Sequence, residues 1–458
     1  MNDARLEELV KKILLEDMRH SGENGVCLGT NEAVARSKKA CALYADLKLQ
    51  DRKRIIESIK RDLYPHVVDI ARMNVEETLL GNVEDKLTKI TLALEKTPGI
   101  EDLVTEVWTG DEGMTLSELS PWGIVCAVHP CTNPCATLIN NTISMLAAGN
   151  SVIHIPHPRA SNVTKYLTGL IGDSIFNSCG IENLVVTFAE SSMAKVDELM
   201  SHPDVQMTVV TGNMDVLRKA LCSGRKVIGA GPANPVAIVD GTANIEKAAR
   251  DIVSGASFDN NILCITEKSV VATDDIADDF ILAAERNGAR VLRDDAEALS
   301  LTTAAINYDR TANKLLEGKD AATILKESNI GYSDKPKVIL FETFKENPFV
   351  TQEIMMPILP VVRARNFEEA VAFALEIEQG LRHTATLHSK NIEHLNYAAK
   401  TLQTSVFVKN APSLKGIGMN AACGTSFTIA TATGEGITTA RTFARRRRCV
   451  LDESFSIR

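Results

Sequence analysis

A doubly wound α/β fold is what this sequence predicts, and two observations predict it. Strand-like runs at Ser151 to Ile155, Leu184 to Thr187, Met207 to Thr211 and Lys226 to Ile228 alternate with helical runs at Pro134 to Ala148, Ala160 to Cys179, Met193 to His202 and Asp215 to Ser223. Such alternation builds a parallel sheet with helices on both faces. A second alternating region runs from about Val236 to Asn410, with strands expected at Ser269 to Ala272, Lys337 to Glu342, Ile358 to Arg363 and Thr384 to His388. At 458 residues the chain is too long for one small core, so two or three domains are expected.

The elements before the first sheet are helical. Leu6, Leu9, Val10, Ile13, Leu14 and Met18 recur at helical spacing, with Glu7, Glu8, Lys11, Lys12 and Glu16 opposite them. Gly22, Gly25 and Gly29 follow, so this amphipathic helix reads as tethered, its apolar face either folded back or docked on a partner. From about Asn31 to Leu94 the text is rich in Ala, Leu, Lys and Glu and reads as helix. A hairpin around Gly110 and Gly113, carrying Trp108, leads into a strand from Gly123 to Val128. The closing stretch is Thr- and Gly-rich and strand-like.

Composition removes several function classes. A formal charge of -9 argues against a nucleic-acid surface, which needs a basic face, and the one basic block, Arg445 to Arg448, reads as a solvated tail or an intersubunit patch. No run of about 18 apolar residues is available to span a bilayer. Ten cysteines without a CxxC pair or a secretory leader point to free thiols in a reducing cytosol, and no metal site is expected.

Glycine-rich phosphate loops are absent in their usual form. "GAGPANP" at Gly229 lacks its third glycine, and "GIGMNA" at Gly416 is followed by strand-like text instead of a helix, so both read as turns. "VVTGNMDVLRKAL" places Thr211 at a strand end, Gly212 in a turn and Asn213 at the cap of a helix, whose free N–H groups suit a phosphate. "HPCTNP" puts Asn133 at a strand-to-helix corner, where an amide can aim at a substrate oxygen or serve as a cap. In "SFDNNILCITEKSVV" one cysteine, Cys264, precedes a β-branched run; taken alone it reads as a buried structural thiol.

"HPCTNP", "SMLAAGNSV", "PHPRA", "VVTGN", "FDNNILCITEKSV", "EIMMPILPVV", "GLRHTATLHS" and "ATGEGITTARTFARRRRCVL" occur in the order expected of the aldehyde dehydrogenase superfamily. Over essentially the whole chain the text resembles the CoA-acylating acetaldehyde and propionaldehyde dehydrogenases of bacterial microcompartments. The resemblance implies an aldehyde dehydrogenase fold: a Rossmann-like cofactor domain, an α/β catalytic domain, and a β hairpin and tail for oligomerisation. It implies Cys264 as nucleophile, forming a thiohemiacetal and then a thioester, with the oxyanion held by Asn133. Cys131 and Cys135 flank Asn133 as pocket residues without a thiol role.

For the NAD cofactor the resemblance implies Glu353 at the nicotinamide ribose and Thr211, Gly212 and Asn213 near the pyrophosphate. Pro156 and Ile155 fall on the adenosine side, Ile155 standing where many hydrolytic relatives carry a lysine. His383 is the one histidine considered for proton handling, beside a hydrogen-bonded structural role. Hydrolytic relatives place a water-activating glutamate where this chain, aligned on Asn234 and Pro235, has Gly229. Coenzyme A then replaces water as acceptor, with Glu190 and Glu267 the only substitutes considered for the base.

The expected organisation is a targeting helix over residues 1–20, similar to the encapsulation peptides of such enzymes, and a cofactor domain over 21–228 with its oligomerisation hairpin at about 105–122. A catalytic domain over 229–404 and a return segment and oligomerisation tail over 405–458 complete it. The implied activity is oxidation of a short-chain aldehyde, propionaldehyde before acetaldehyde, with NAD and coenzyme A to acyl-CoA and NADH. A homodimer or homotetramer, held in the cytoplasm inside a microcompartment through shell or core proteins, is implied with it. A hydrolytic dehydrogenase and a non-catalytic shell adaptor are the competing readings.

Overall fold

The computed structural model describes residues 25–453, so the amphipathic segment expected over residues 1–20 lies outside the described residues. Four helices open the described chain: Thr30–Ala45, Leu49–Leu63, Val67–Thr78 and Val83–Lys96. The last starts where the Asn82 side chain accepts the Asp85 N–H at 2.9 Å, a cap that satisfies one of the free amides of the first turn. Its inward face carries Ile90, Ala93 and Leu94, and also two lysines, Lys86 and Lys89.

The first sheet uses β1 (Val26–Cys27), β4 (Ile124–Val128), β5 (Ser151–Ile155), β6 (Val185–Phe188), β7 (Val205–Thr211) and β8 (Lys226–Ala230), reached through the hairpin strands β2 (Glu106–Gly110) and β3 (Gly113–Pro121). Its order is β1-β6-β5-β4-β7-β8, and every pair is parallel. Helices cover both faces, which is why "IVCAV" and "SVIHI" are buried at every position instead of alternating. The chain leaves β4 toward β5 on one side and later returns to the other side with β7. That reversal opens a crevice at the C-terminal ends of β4 and β7.

The second sheet contains β9 (Val236–Val239), β10 (Ser269–Thr273), β11 (Ala289–Leu292), β12 (Val338–Thr343), β13 (Ile358–Ala364), β14 (Thr384–His388) and β15 (Val406–Lys409). It is parallel throughout, in the order β11-β12-β13-β10-β9-β14-β15. Two boundaries shift as a result. Gly229 and Ala230 pair with β7 and belong to the first sheet, and β15 lies past the boundary expected at residue 404.

After the short pair β16 (Ile429–Ala430) and β17 (Gly436–Ile437), the chain ends in β18 (Ala444–Asp452). β18 pairs antiparallel with β3, which pairs with β2, so the basic block Arg445 to Arg448 lies on a strand, as the strand-like closing stretch suggests, with its arginines exposed. Arg446 reaches Glu106 of β2 at 3.0 Å.

The helix Pro134–Ala147 is buried at all its positions and forms the centre of the molecule. Ile139, Ile143 and Leu146 pack with Ile59, Ile90 and Ala93 of the opening helices and, in the same cluster, with Leu263, Ile265, Val406 and Val408 from the second half of the chain. The two sheets therefore share a core directly beneath the Cys264 loop. Truncating Leu146 to Ala removes apolar volume that no side chain can refill, and should cost about 3 kcal/mol. Thermal unfolding of that variant against the parent protein measures it; an unchanged midpoint would contradict this account of the core.

Candidate active site

The crevice at the switch point is a narrow, mostly apolar cleft that is open at its mouth. Four chain segments converge on it. Pro130, Thr132 and Asn133 follow β4, Thr211 and Gly212 follow β7, Ala230 and Gly231 end β8, and Leu263, Cys264 and Ile265 come from the loop before β10. His383 precedes β14, while Ile417, Phe427 and Ile429 close the apolar side. Cys264, Asn133, Thr211, Gly212 and His383, distant in sequence, thus line one cleft.

The Cys264 loop holds an unusual backbone. Asp259, Asn260 and Asn261 have φ of 49°, 53° and 62°, three left-handed residues in succession. Asx side chains tolerate this region best, because they bond locally, yet such runs persist only where surroundings impose them. Here they do. Asn261 accepts from Lys268 Nζ at 2.6 Å and from the Thr266 hydroxyl at 2.7 Å, and its amide donates to the Glu267 carbonyl at 3.0 Å. Asp259 accepts from Lys86 Nζ at 2.9 Å and from Lys89 Nζ, all three side chains being at most 1% exposed.

The same two lysines hold the opposite wall. Lys86 donates to the Thr132 carbonyl at 2.7 Å, and Lys89 donates to Asn133 Oδ1. With Oδ1 engaged inward, Asn133 Nδ2 makes only a long 3.4 Å contact to the Thr132 hydroxyl and is left to serve the cleft. A carbonyl oxygen seated near Cys264 would find there the donor that stabilises developing negative charge.

Burial pushes the Cys264 thiol up to about 12, the adjacent Glu353 carboxylate adding to the rise while Lys268 and Lys89 oppose it. The free site therefore keeps a protonated thiol near neutral pH. His383 is driven down to about 4 by burial, with the Lys268 charge acting in the same direction, so its imidazole is neutral near neutral pH and is a weak base in the free site. Its Nδ1 lies 2.9 Å from the Thr384 hydroxyl, which fixes the ring and leaves Nε2 for the cleft. Both roles considered for this residue are thus compatible.

The candidate water-activating groups do not reach the cleft. A Cβ on Gly229 would meet Leu217 Cδ1 at 2.2 Å, so a larger side chain there collides with a packed helix, and the residues of this segment that face the cleft are Ala230 and Gly231. Glu267 is buried and spends both oxygens on Ser413, accepting its N–H and its hydroxyl at 2.8 Å each. Glu190 is exposed on the surface. Among the described residues none of those lining the cleft is a carboxylate; Glu353, beside the thiol, is not one of them and accepts the Ala233 N–H.

The residues on the cofactor side fit a dinucleotide. Gly212, at φ 95°, places its α-carbon so close to Pro130 that a Cβ would stand 3.0 Å away, and the backbone there stays open to a ligand. Asn213 caps the helix Met214–Leu221 through Val216 N–H at 3.0 Å, so its side-chain oxygen is occupied and only the backbone is free to meet a phosphate. Glu353 accepts the Ala233 N–H at 3.2 Å beside the nucleophile. Ile155 and Pro156 end β5 along the same sheet edge, buried and outside the cleft wall.

Sequence reading missed Lys86, Lys89 and Lys268. Lysines at helical spacing look like a solvated face, and nothing local signals that this face turns inward.

A model of the aldehyde dehydrogenase family matches residues 6–428. The chain belongs to the aldehyde dehydrogenase family. This aldehyde dehydrogenase is 45% identical over 463 residues, 100% of both chains, to the propanal dehydrogenase (CoA-propanoylating) of Citrobacter freundii. It superimposes with a TM-score of 0.93 at 44% identity on Rhodopseudomonas palustris propionaldehyde dehydrogenase with bound propionyl-CoA, covering 95% of this chain and 96% of that one. A propionaldehyde dehydrogenase from the Clostridium phytofermentans fucose utilisation bacterial microcompartment gives 0.93 at 41% identity, over 95% of this dehydrogenase and 100% of that chain.

Because the thiolate is the reactive form, alkylation of Cys264 by iodoacetamide in this dehydrogenase should rise about tenfold per pH unit between about pH 7 and pH 10 without levelling. Peptide mass spectrometry separates Cys264 from the exposed thiols Cys222, Cys423 and Cys449. Glu353→Gln removes a negative charge beside the thiol and should speed the labelling at any given pH. A plateau near pH 8 would contradict the burial account.

Proposed function

We propose that this chain oxidises a short-chain aldehyde with NAD and coenzyme A to acyl-CoA and NADH, with propionaldehyde the preferred substrate and acetaldehyde the second. The observation that carries it is a cleft offering a thiol, an amide donor and a neutral imidazole, and no carboxylate among its described lining residues. A hydrolytic dehydrogenase needs a base to activate water. A thiol acceptor is far more nucleophilic and does not need one as strongly.

In this reading Cys264 Sγ attacks the aldehyde carbon while its proton passes to His383, and Asn133 Nδ2 donates to the oxygen that becomes negative. Leu263, Ile265, Ile417 and Phe427 surround a short alkyl chain and exclude water. Glu353 and the Thr211, Gly212 and Asn213 turn, with Ile155 and Pro156 beyond it, would hold NAD, whose nicotinamide would supply the hydride acceptor needed for thioester formation on Cys264. Once His383 has released the first proton to solvent, the coenzyme A sulfur attacks that thioester carbon, His383 takes the thiol proton, and Cys264 leaves as thiolate and recovers that proton to restore the resting thiol.

The three-stranded sheet formed by β2, β3 and β18 stands exposed, with Val107, Trp108, Val450 and Leu451 at its surface. An exposed apolar sheet supports assembly as a homodimer or homotetramer. Likeness to a microcompartment enzyme, together with the amphipathic pattern of residues 1–20, supports a cytoplasmic site inside such a compartment, docked on shell or core proteins.

NADH formation from propionaldehyde and NAD should require coenzyme A for steady turnover, with propionyl-CoA identified by mass spectrometry, and Cys264→Ala should fold yet form no acyl-enzyme. Sustained release of propionate without coenzyme A would make the enzyme hydrolytic. Deleting residues 1–20 should leave solution activity intact and abolish co-purification with shells. Retained co-purification would move the docking surface elsewhere.

A further inference from the structure

We propose that Lys89 is a positioning residue for the aldehyde chemistry: its ammonium fixes the Asn133 amide with Oδ1 inward and Nδ2 toward the cleft, and it polarises that amide as the oxyanion forms. The inference rests on the reading of Cys264 as nucleophile and Asn133 as oxyanion donor.

Three observations lead to it. A lysine ammonium has three donors and no acceptor, so the amide atom facing it must be the oxygen, and the orientation of Asn133 is fixed by chemistry. Without that cation both amide rotamers would be open, and half of them would present an acceptor to a negative oxygen.

Holding the corner and the loop together does not require Lys89. Lys86 already pairs with Asp259 and already grips the Thr132 carbonyl, so the corner and the loop are both held by one lysine. The neighbouring Asp85 carboxylate is spent on neutral donors, the Asp259 N–H at 2.7 Å and the Asn82 amide at 2.6 Å. A second, fully buried ammonium is costly to desolvate, and burial pulls Lys89 down to about 7. What it adds beyond Lys86 is the bond to Asn133, together with a positive charge that opposes the rise of the Cys264 thiol.

Lys89 also joins the donor to the nucleophile loop. Its other bond is to Asp259, in the loop that carries Cys264, so one ammonium sets the amide and the thiol segment in a common frame. A charge polarising an amide in a water-poor cleft acts far more strongly than it would in solution.

The test is a double-mutant cycle on the full-length protein, reading the pre-steady-state burst of NADH from propionaldehyde and NAD without coenzyme A. Asn133→Ala should slow the burst about 100-fold, the cost of losing an oxyanion donor, and Lys89→Met should slow it comparably with the aldehyde KM nearly unchanged. Lys89→Gln keeps a donor to Oδ1 and should recover much of the loss. In the Asn133→Ala background, Lys89→Met should cost no more than about twofold, because its target is gone.

Equal losses from Lys89→Met with and without Asn133 would overturn the proposal and make Lys89 a structural residue, as would a burst that Lys89→Met leaves unchanged. If thermal unfolding finds Lys89→Met unfolded, Lys89→Gln carries the same cycle, with a loss of about tenfold from the missing charge that must vanish without Asn133. A full-rate burst from Asn133→Ala alone would instead remove the oxyanion reading on which the proposal stands.

Discussion

The geometry of this site depends on one buried ion cluster. Asp259 receives Lys86 and Lys89 in the interior, where each ion has given up its water and must be repaid by direct bonds. Those bonds run between parts of the chain that share no sheet: the helix Val83–Lys96, the corner after β4, and the loop before β10. Removing Asp259 would leave two buried cations, so the cluster cannot come apart by halves. It therefore keeps Asn133 and Cys264 in register although 130 residues of sequence lie between them.

The electrostatics of the cleft follow from the same dryness. Burial keeps the Cys264 thiol neutral, keeps His383 neutral, and brings Lys268 down to about 8. Each departs from its ordinary value in the direction that avoids charge in a poorly solvated place. A resting thiol is protected from adventitious electrophiles, and ionisation becomes favourable only when a partner can take the proton and a donor can take the negative oxygen. The cleft wall provides one of each in His383 and Asn133.

Acceptor choice depends on packing as much as on residue identity. Gly229 is silent in sequence, a missing glutamate and no more. In three dimensions its absent side chain points into Leu217, so the strand is closed to a carboxylate at that position. Glu267, next but two to Cys264 in the chain, is equally removed from the chemistry, since Ser413 satisfies it and its backbone turn aims it away from the cleft. Sequence proximity to a nucleophile is a poor guide to reach.

Periodicity and motif order made the parallel sheets, the hairpin and the family legible in the sequence, because each of these is written in a local pattern of side chains. The roles expected of Cys264, Asn133, Thr211, Gly212 and Glu353 came with the resemblance and not from a local pattern alone. β5 and β14 lie where the β-branched runs placed them. Other features were not local. The strand-like closing stretch does not name its partner, and only the fold pairs β18 with β3, while β15 joins the second sheet from beyond an expected boundary. Lys86 and Lys89 carry the clearest lesson: in sequence they are two charges one turn apart, indistinguishable from a solvated helix face. Only the fold determines that this face turns inward onto Asp259, since the energy of a buried charge belongs to its partners and not to the residue itself.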